Sequence, residues 1–207
     1  MKAEPTLEQA LIDRFAEGET GVVGELVALH QDRIKRMIQV RMEPRLRQRI
    51  DASDVFQELQ IDVIKRMPEF VPQQAKVSFF QWLRFLGRQK LAELHRRHIQ
   101  AQGRSIDREI QPHSDASSVA LANFLIADVS SPSLQVSRKE LQAQLETAVA
   151  ALDDLDRESI LLRHAEQLST SEAATELGIT PNAFRQRYFR ALKKLKTSLE
   201  KYELSWG

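Results

Sequence analysis

Asn182, Gln186, Arg187, Arg190, Lys193 and Lys194 fall on one side of a stretch whose other side repeats Phe184, Tyr188, Ala191, Leu192, Leu195 and Leu199 at helical spacing. Amide side chains exchange hydrogen bonds with base edges in a major groove, guanidinium groups grip guanine, and ammonium groups meet phosphates. Together with Arg185, these residues therefore suit the reading of duplex DNA. A second set is acidic. Asp51, Asp54, Glu58 and Asp62 recur at three and four, with Gln57 and Ile61 beside them, opposite Val55, Phe56, Leu59, Val63, Ile64 and Met67. Like charges at this spacing cost a few tenths of a kcal/mol per pair, so the ridge invites a cationic partner, and Ile61 adds a small apolar anchor. A third set pairs Phe79 and Trp82 with Arg84, Arg88, Lys90, Arg96 and Arg97 on a segment whose only acid is Glu93. Aromatics at the edge of a basic helix stack on unpaired bases, each worth about 1 to 3 kcal/mol, and Phe79 is expected to be less buried than Trp82.

Catalytic chemistry finds no comparable set. His95 and His98 share a helix side but have no third ligand, and the chain lacks a Gly-rich phosphate loop, a nucleophile elbow and any cysteine. No catalytic residue, metal or cofactor is expected, and the chain reads as a binding protein rather than an enzyme. The net charge of 207 residues is only +1, so affinity for nucleic acid must come from segregated charge. No apolar run approaches the length of a bilayer span and no signal-peptide pattern opens the chain, which predicts a soluble, cytoplasmic protein with no membrane partner.

The elements that must position these sets are helices, which makes the fold class all-α. Thr6 is suited to cap a first helix and Thr20 a second, from Val22 to about Met42, before Pro44 bends the chain and Arg45, Arg47 and Arg49 follow. The acidic helix spans Asp51 to Met67. Pro68 and the aperiodic EFVPQQAKVS form a loop, and Ser78 caps the aromatic and basic helix. Residues 100–131, which carry Gly, Ser, Pro, Asn and Asp with little periodicity, read as a flexible linker with a short apolar piece, Val119 to Ala127. Ser131 and Pro132 open the next helix. Another, near Asp154 to Glu166, presents Leu155, Ile160, Leu161 and Leu162 inward. Ser169 with Glu172 spells a capping box, Gly178 a stop, and Thr180 with Pro181 a new start: a helix-turn-helix. Two small helical domains follow, 1–99 and 132–207, the second ending in that motif.

In this order the sets resemble a bacterial RNA polymerase sigma factor of the extracytoplasmic-function type, over nearly the whole length. Asp51, Asp54, Gln57 and Glu58 stand as the D-x-x-D-x-x-Q-E pattern of that family's second conserved region. The resemblance implies that Asp51, Asp54, Gln57, Glu58 and Ile61 dock on the clamp helices of the core polymerase's largest subunit. It gives Phe79, Trp82, Arg84, Arg88, Lys90, Arg96 and Arg97 the recognition and melting of the minus-10 element. It assigns Asn182, Arg185, Gln186, Arg187, Arg190, Lys193 and Lys194 to the minus-35 element, and sends the linker through the polymerase cleft. Core polymerase, including its flap, duplex and melted promoter DNA, and an anti-sigma protein are the implied partners. The alternative is a response-regulator type of helix-turn-helix factor, which would need an effector or receiver domain at the N-terminus, normally with parallel strands.

Overall fold

The computed structural model describes residues 6–99, 116–127 and 135–203, and every regular element among them is helical; none of these helices is long and apolar enough to cross a membrane. They form two compact units, one on residues 6–38 and 44–99, the other on 39–43, 116–127 and 135–203. The strands that a receiver domain needs do not occur among the described residues.

The first unit holds α1 (Leu7–Ala16), α2 (Val23–Ala28), α3 (Gln31–Arg41), α4 (Pro44–Arg47), α5 (Ala52–Phe70) and α6 (Phe79–Ile99). Thr6 caps α1 by accepting the Gln9 N–H at 3.2 Å. Thr20 does not cap; it begins a single 3-10 turn, Thr20–Val22, without a side-chain cap bond. The stretch expected as one helix from Val22 to Met42 breaks at Leu29 and His30, so Leu26 and Val27 of α2 and Ile34, Met37 and Ile38 of α3 all reach the core from separate helices. Asp51 starts α5 by accepting the N–H groups of Ser53 and Asp54 at 2.6 and 2.9 Å, and Asp54 accepts the Asp51 N–H in return at 3.1 Å. This helix does not stop before Pro68. It continues to Phe70, whose ring is fully buried against Phe79 and Trp82 at 5.4 and 5.1 Å. A proline so near a helix end removes one backbone hydrogen bond, and burial of an aromatic ring outweighs that loss. Ser78 caps α6 by accepting the Gln81 N–H at 3.2 Å. At Gly87 the helices approach closely, since a Cβ there would lie 2.7 Å from Met37 Cε.

The second unit holds α7 (Ala116–Ala127), α8 (Gln135–Ala150), α9 (Asp154–Ile160) continued by one π turn (Leu161–Ala165), α10 (Thr170–Glu176) and α11 (Pro181–Glu203). Part of the expected linker is thus a packed helix. Ala120 and Leu121 of α7 bury with Ala148 and Val149, and Ala122 and Ile126 with Leu145. The apolar piece read as linker is too short to announce its period, but it has enough side chains to cover α8. The rest of that linker, 100–115 and 128–131, lies outside the described residues, as does the Ser131–Pro132 start. Ile160, Leu161 and Ala165 meet Ala191 and Leu195 of α11, whereas Leu155, expected inward, is half-exposed. The buried Arg157 donates to the carbonyls of Val149, Ala150 and Leu152 at 3.2, 3.3 and 2.8 Å, satisfying acceptors that the end of α8 leaves open.

Candidate nucleic-acid interface

The helix-turn-helix is closed by reciprocal local bonds. Ser169 Oγ accepts the Glu172 N–H at 3.2 Å, and Glu172 Oε2 accepts the Ser169 N–H at 2.7 Å. Gly178 takes φ +65°, a left-handed value that suits a glycine, and lets Ile179 N–H reach the Ala174 carbonyl at 3.0 Å. Thr180 Oγ1 then accepts the Ala183 N–H at 3.2 Å and starts α11. Phe184, Ala191 and Leu195 seat α11 in the core, and the Tyr188 hydroxyl shares a 2.7 Å hydrogen bond with His164 Nε2.

The basic side expected on α11 divides into two sectors. Asn182, Arg185, Gln186 and Lys193 turn to solvent, and Phe189, 61% exposed, stands among them. The sequence set omitted Phe189, although its position three after Gln186 and seven after Asn182 was the available signal. Arg187, Arg190 and Lys194 form the other sector and face α9. Asp156, at 0% exposure, receives Arg187 Nη1 at 3.1 Å, Arg190 Nη2 at 3.3 Å and Lys194 Nζ at 2.6 Å. Asp153 lies 2.9 Å from the same ammonium and 3.7 Å from Arg187. The hydrogen bond from Lys194 holds the Asp153 carboxyl down to about 2, and the two aspartates raise the Lys194 ammonium above its ordinary value.

In the first unit, the cations that answer the acidic ridge come from α6. Lys90 Nζ, almost wholly buried, lies 2.7 Å from Asp62, 2.9 Å from Glu93 and 3.7 Å from Glu58; Arg97 lies 3.3 Å from Glu58 and also pairs with Glu93. Burial works to lower the Lys90 ammonium, but its bonds to Asp62 and Glu93 outweigh it and the net shift is upward; Lys90 in turn lowers the Glu93 carboxyl. The ridge therefore has an internal partner, and Lys90 and Arg97, expected on the DNA-facing surface, face α5. Asp51, Asp54, Gln57 and Ile61 remain exposed along the outer side of α5.

The expected aromatic platform is corrected. Phe79 is 1% exposed and Trp82 7%, reversing the expected order, and both belong to the core with Phe70, their centroids 5.8 Å apart. Arg84 is buried as well. A helix beginning directly at Phe79 must turn its first apolar residues toward α5 and α3, which leaves no edge for stacking. Of the expected set, Arg88, Arg96 and the half-exposed Arg97 reach the surface, Arg97 while pairing with Glu58 and Glu93, and the aromatic on the stripe of Arg88 and Arg96 is Phe85, 52% exposed and separated from them by three and eleven positions.

The family model described as Sigma-70, region 4 matches residues 142–195, which contain α9, α10 and the first part of α11. The chain is 25% identical over 198 residues to the ECF RNA polymerase sigma-E factor of Haemophilus influenzae, covering 96% of this chain and 98% of that protein. It is 27% identical over 201 residues to the RNA polymerase sigma factor NccH of Alcaligenes xylosoxydans xylosoxydans, covering 95% and 97%. To the RNA polymerase sigma-H factor of Pseudomonas aeruginosa it is 26% identical over 197 residues, covering 93% and 94%. Among solved structures, that of CnrH in complex with the cytosolic domain of CnrY shares the fold, with a TM-score of 0.55 at 23% identity over 95% of this chain and 99% of that one.

Proposed function

Because this chain belongs to the extracytoplasmic-function branch of the sigma-70 family, we propose that it binds core RNA polymerase, directs it to specific promoters and assists opening of the duplex. The observation that carries the reading is α11, a helix started by Thr180 on a capped helix-turn-helix, with Asn182, Arg185, Gln186, Phe189 and Lys193 turned to solvent as one sector. Such a sector places amides and a guanidinium at base edges, a ring against thymine methyl groups and a lysine at the phosphates of a minus-35 element.

The first unit supplies the other contacts. Asp51, Asp54, Gln57 and Ile61 line the outer side of α5 that docks on the clamp helices of the largest subunit, with Glu58 at its border, held by Lys90 and Arg97. The Phe85, Arg88 and Arg96 stripe of α6 meets the opened strand at the minus-10 element, the ring stacking on an unpaired base and the cations holding phosphates. The division of labour is 1–99 for polymerase and minus-10 contacts and 132–207 for the minus-35 element. The protein acts in the cytoplasm, by binding rather than by chemistry, and a protein inhibitor is a further partner; the related CnrH is solved with the cytosolic domain of CnrY.

In vitro transcription with core polymerase on a library of genomic fragments tests the reading. Discrete start sites are expected only when the chain is added. Identical transcripts with and without it would overturn the proposal.

A further inference from the structure

The α9 carboxylates do more than neutralise a charge. At about 100° per residue, Asn182, Arg185, Gln186, Phe189 and Lys193 centre on one direction of α11, Phe184, Ala191 and Leu195 on the opposite one, and Arg187, Arg190 and Lys194 on a third between them. The third sector borders the reading sector directly, Arg190 being four residues from Gln186. In that sector three cations converge on one carboxylate that has no exposure to solvent. The side chains of Arg190 and Lys194 are still 56% and 46% exposed, within reach of a phosphate at the edge of the groove. The Asp156 and Asp153 oxygens thus occupy the donors that a DNA phosphate would otherwise take, at distances of 2.6 to 3.7 Å.

We propose that Asp156, seconded by Asp153, is a positioning residue that limits sequence-independent affinity: an internal phosphate mimic that withholds Arg187, Arg190 and Lys194 from the DNA backbone, so that firm binding depends on the base-reading sector. This rests on the minus-35 reading given above. Phosphate contacts carry no sequence information, and each one adds the same affinity to every duplex. Restraining three cations beside a reading surface therefore lowers the affinity for every duplex by the same factor, so that binding is firm only where the base-reading contacts are also made.

The test is binding of the full chain with core polymerase to a promoter duplex and to an unrelated duplex across a salt series. Asp156→Asn keeps the shape and removes the charge. Its slope of log affinity against log salt should steepen by about 0.9 for each additional phosphate neutralised, or about threefold more loss between about 50 and 200 mM salt. At low salt the affinity of the variant should rise by the same factor on the promoter and on the unrelated duplex, so that the unrelated duplex is retained at protein concentrations where the wild type releases it. Adding Lys194→Gln to Asp156→Asn should restore part of the original slope, a rescue that a purely structural aspartate would not give. Asp153→Asn keeps an N-cap residue of equal quality on α9 and should steepen the slope by a smaller amount, which keeps the proposal testable if the Asp156 variant does not fold. An unchanged slope in the folded variants, or a loss of affinity on both duplexes without steepening, would overturn the clamp. Wild-type protein that fails to distinguish the two duplexes would instead overturn the minus-35 reading beneath it.

Discussion

A phenyl ring stacks on a base only if its face reaches solvent, and that condition separates Phe79 from Phe85. Phe79→Ala removes a ring packed among Phe70, Trp82 and His30, so stability should fall by about 3 to 5 kcal/mol, with core binding and opening lost together. Phe85→Ala should leave the urea midpoint almost unchanged while suppressing the fluorescence of a base analogue placed across the minus-10 element, and a premelted template should relieve the defect. An opening signal equal to wild type would remove Phe85 from the mechanism. Both rings lie on a helix that was legible from Ser78 onward, as was its inward stripe of Phe80, Leu83, Leu91 and Leu94; that Phe79 joins the core was not, because Phe70 creates that pocket by continuing α5 past a proline. Asp153 offers a pH test at the same scale. Its carboxyl is held near 2 in the folded chain against an ordinary 3.8, so its stabilising contribution is complete above about pH 4 and is lost as pH falls from there towards 2. The melting-temperature difference between wild type and Asp153→Asn should shrink over that interval, by a small amount because half of the side chain is solvent-screened.

At the scale of elements, the local signals that need only neighbours were readable. Thr6, Ser78, Ser169 with Glu172, and Thr180 each make the cap that the sequence implied, whereas Asp51 and Asp54, read as part of the acidic ridge, close a capping box as well. Gly178 belongs to the same group: with φ +65° and open space where a Cβ would sit, Gly178→Ala should cost about 1 to 2 kcal/mol through backbone strain alone, measured by urea unfolding. Gly87 behaves differently, since its demand is tertiary. Alanine there crowds the terminal methyl of Met37, which can shift, touches Leu59 Cδ2 at an ordinary 3.5 Å, and gains helix propensity of about 1 kcal/mol, so Gly87→Ala should be near neutral. Gly87→Leu should destabilise by about 1 to 3 kcal/mol through overpacking; equal midpoints for the two would mean that α6 has room there. Elements whose limits depend on distant partners were misread: α5 runs past Pro68, one expected helix divides into α2 and α3, and α7 stands in a segment read as linker.

For the whole molecule, the proposal assigns polymerase affinity to one unit and minus-35 preference to the other. Ile61→Asp puts a charge on the exposed anchor of α5 without disturbing the Asp51 and Asp54 cap, and should weaken core binding by kcal/mol while leaving minus-35 preference intact. Gln186→Ala should do the reverse, relaxing preference at one base position by about 1 to 3 kcal/mol with core affinity unchanged. Equal effects of both on core affinity would dissolve the division. The sequence by itself determined the all-helical class, most of the caps, the helix-turn-helix and the acidic and basic stretches of α5 and α11, because periodicity and capping are properties of residues a few positions apart. The tertiary structure alone decided which cations are available. Lys90 and Arg97 lie against the ridge of α5, and Arg187, Arg190 and Lys194 against Asp153 and Asp156. These pairs join residues from about 30 to 40 positions apart, and the energy of an ion pair depends on its separation in space, which no spacing along the chain encodes.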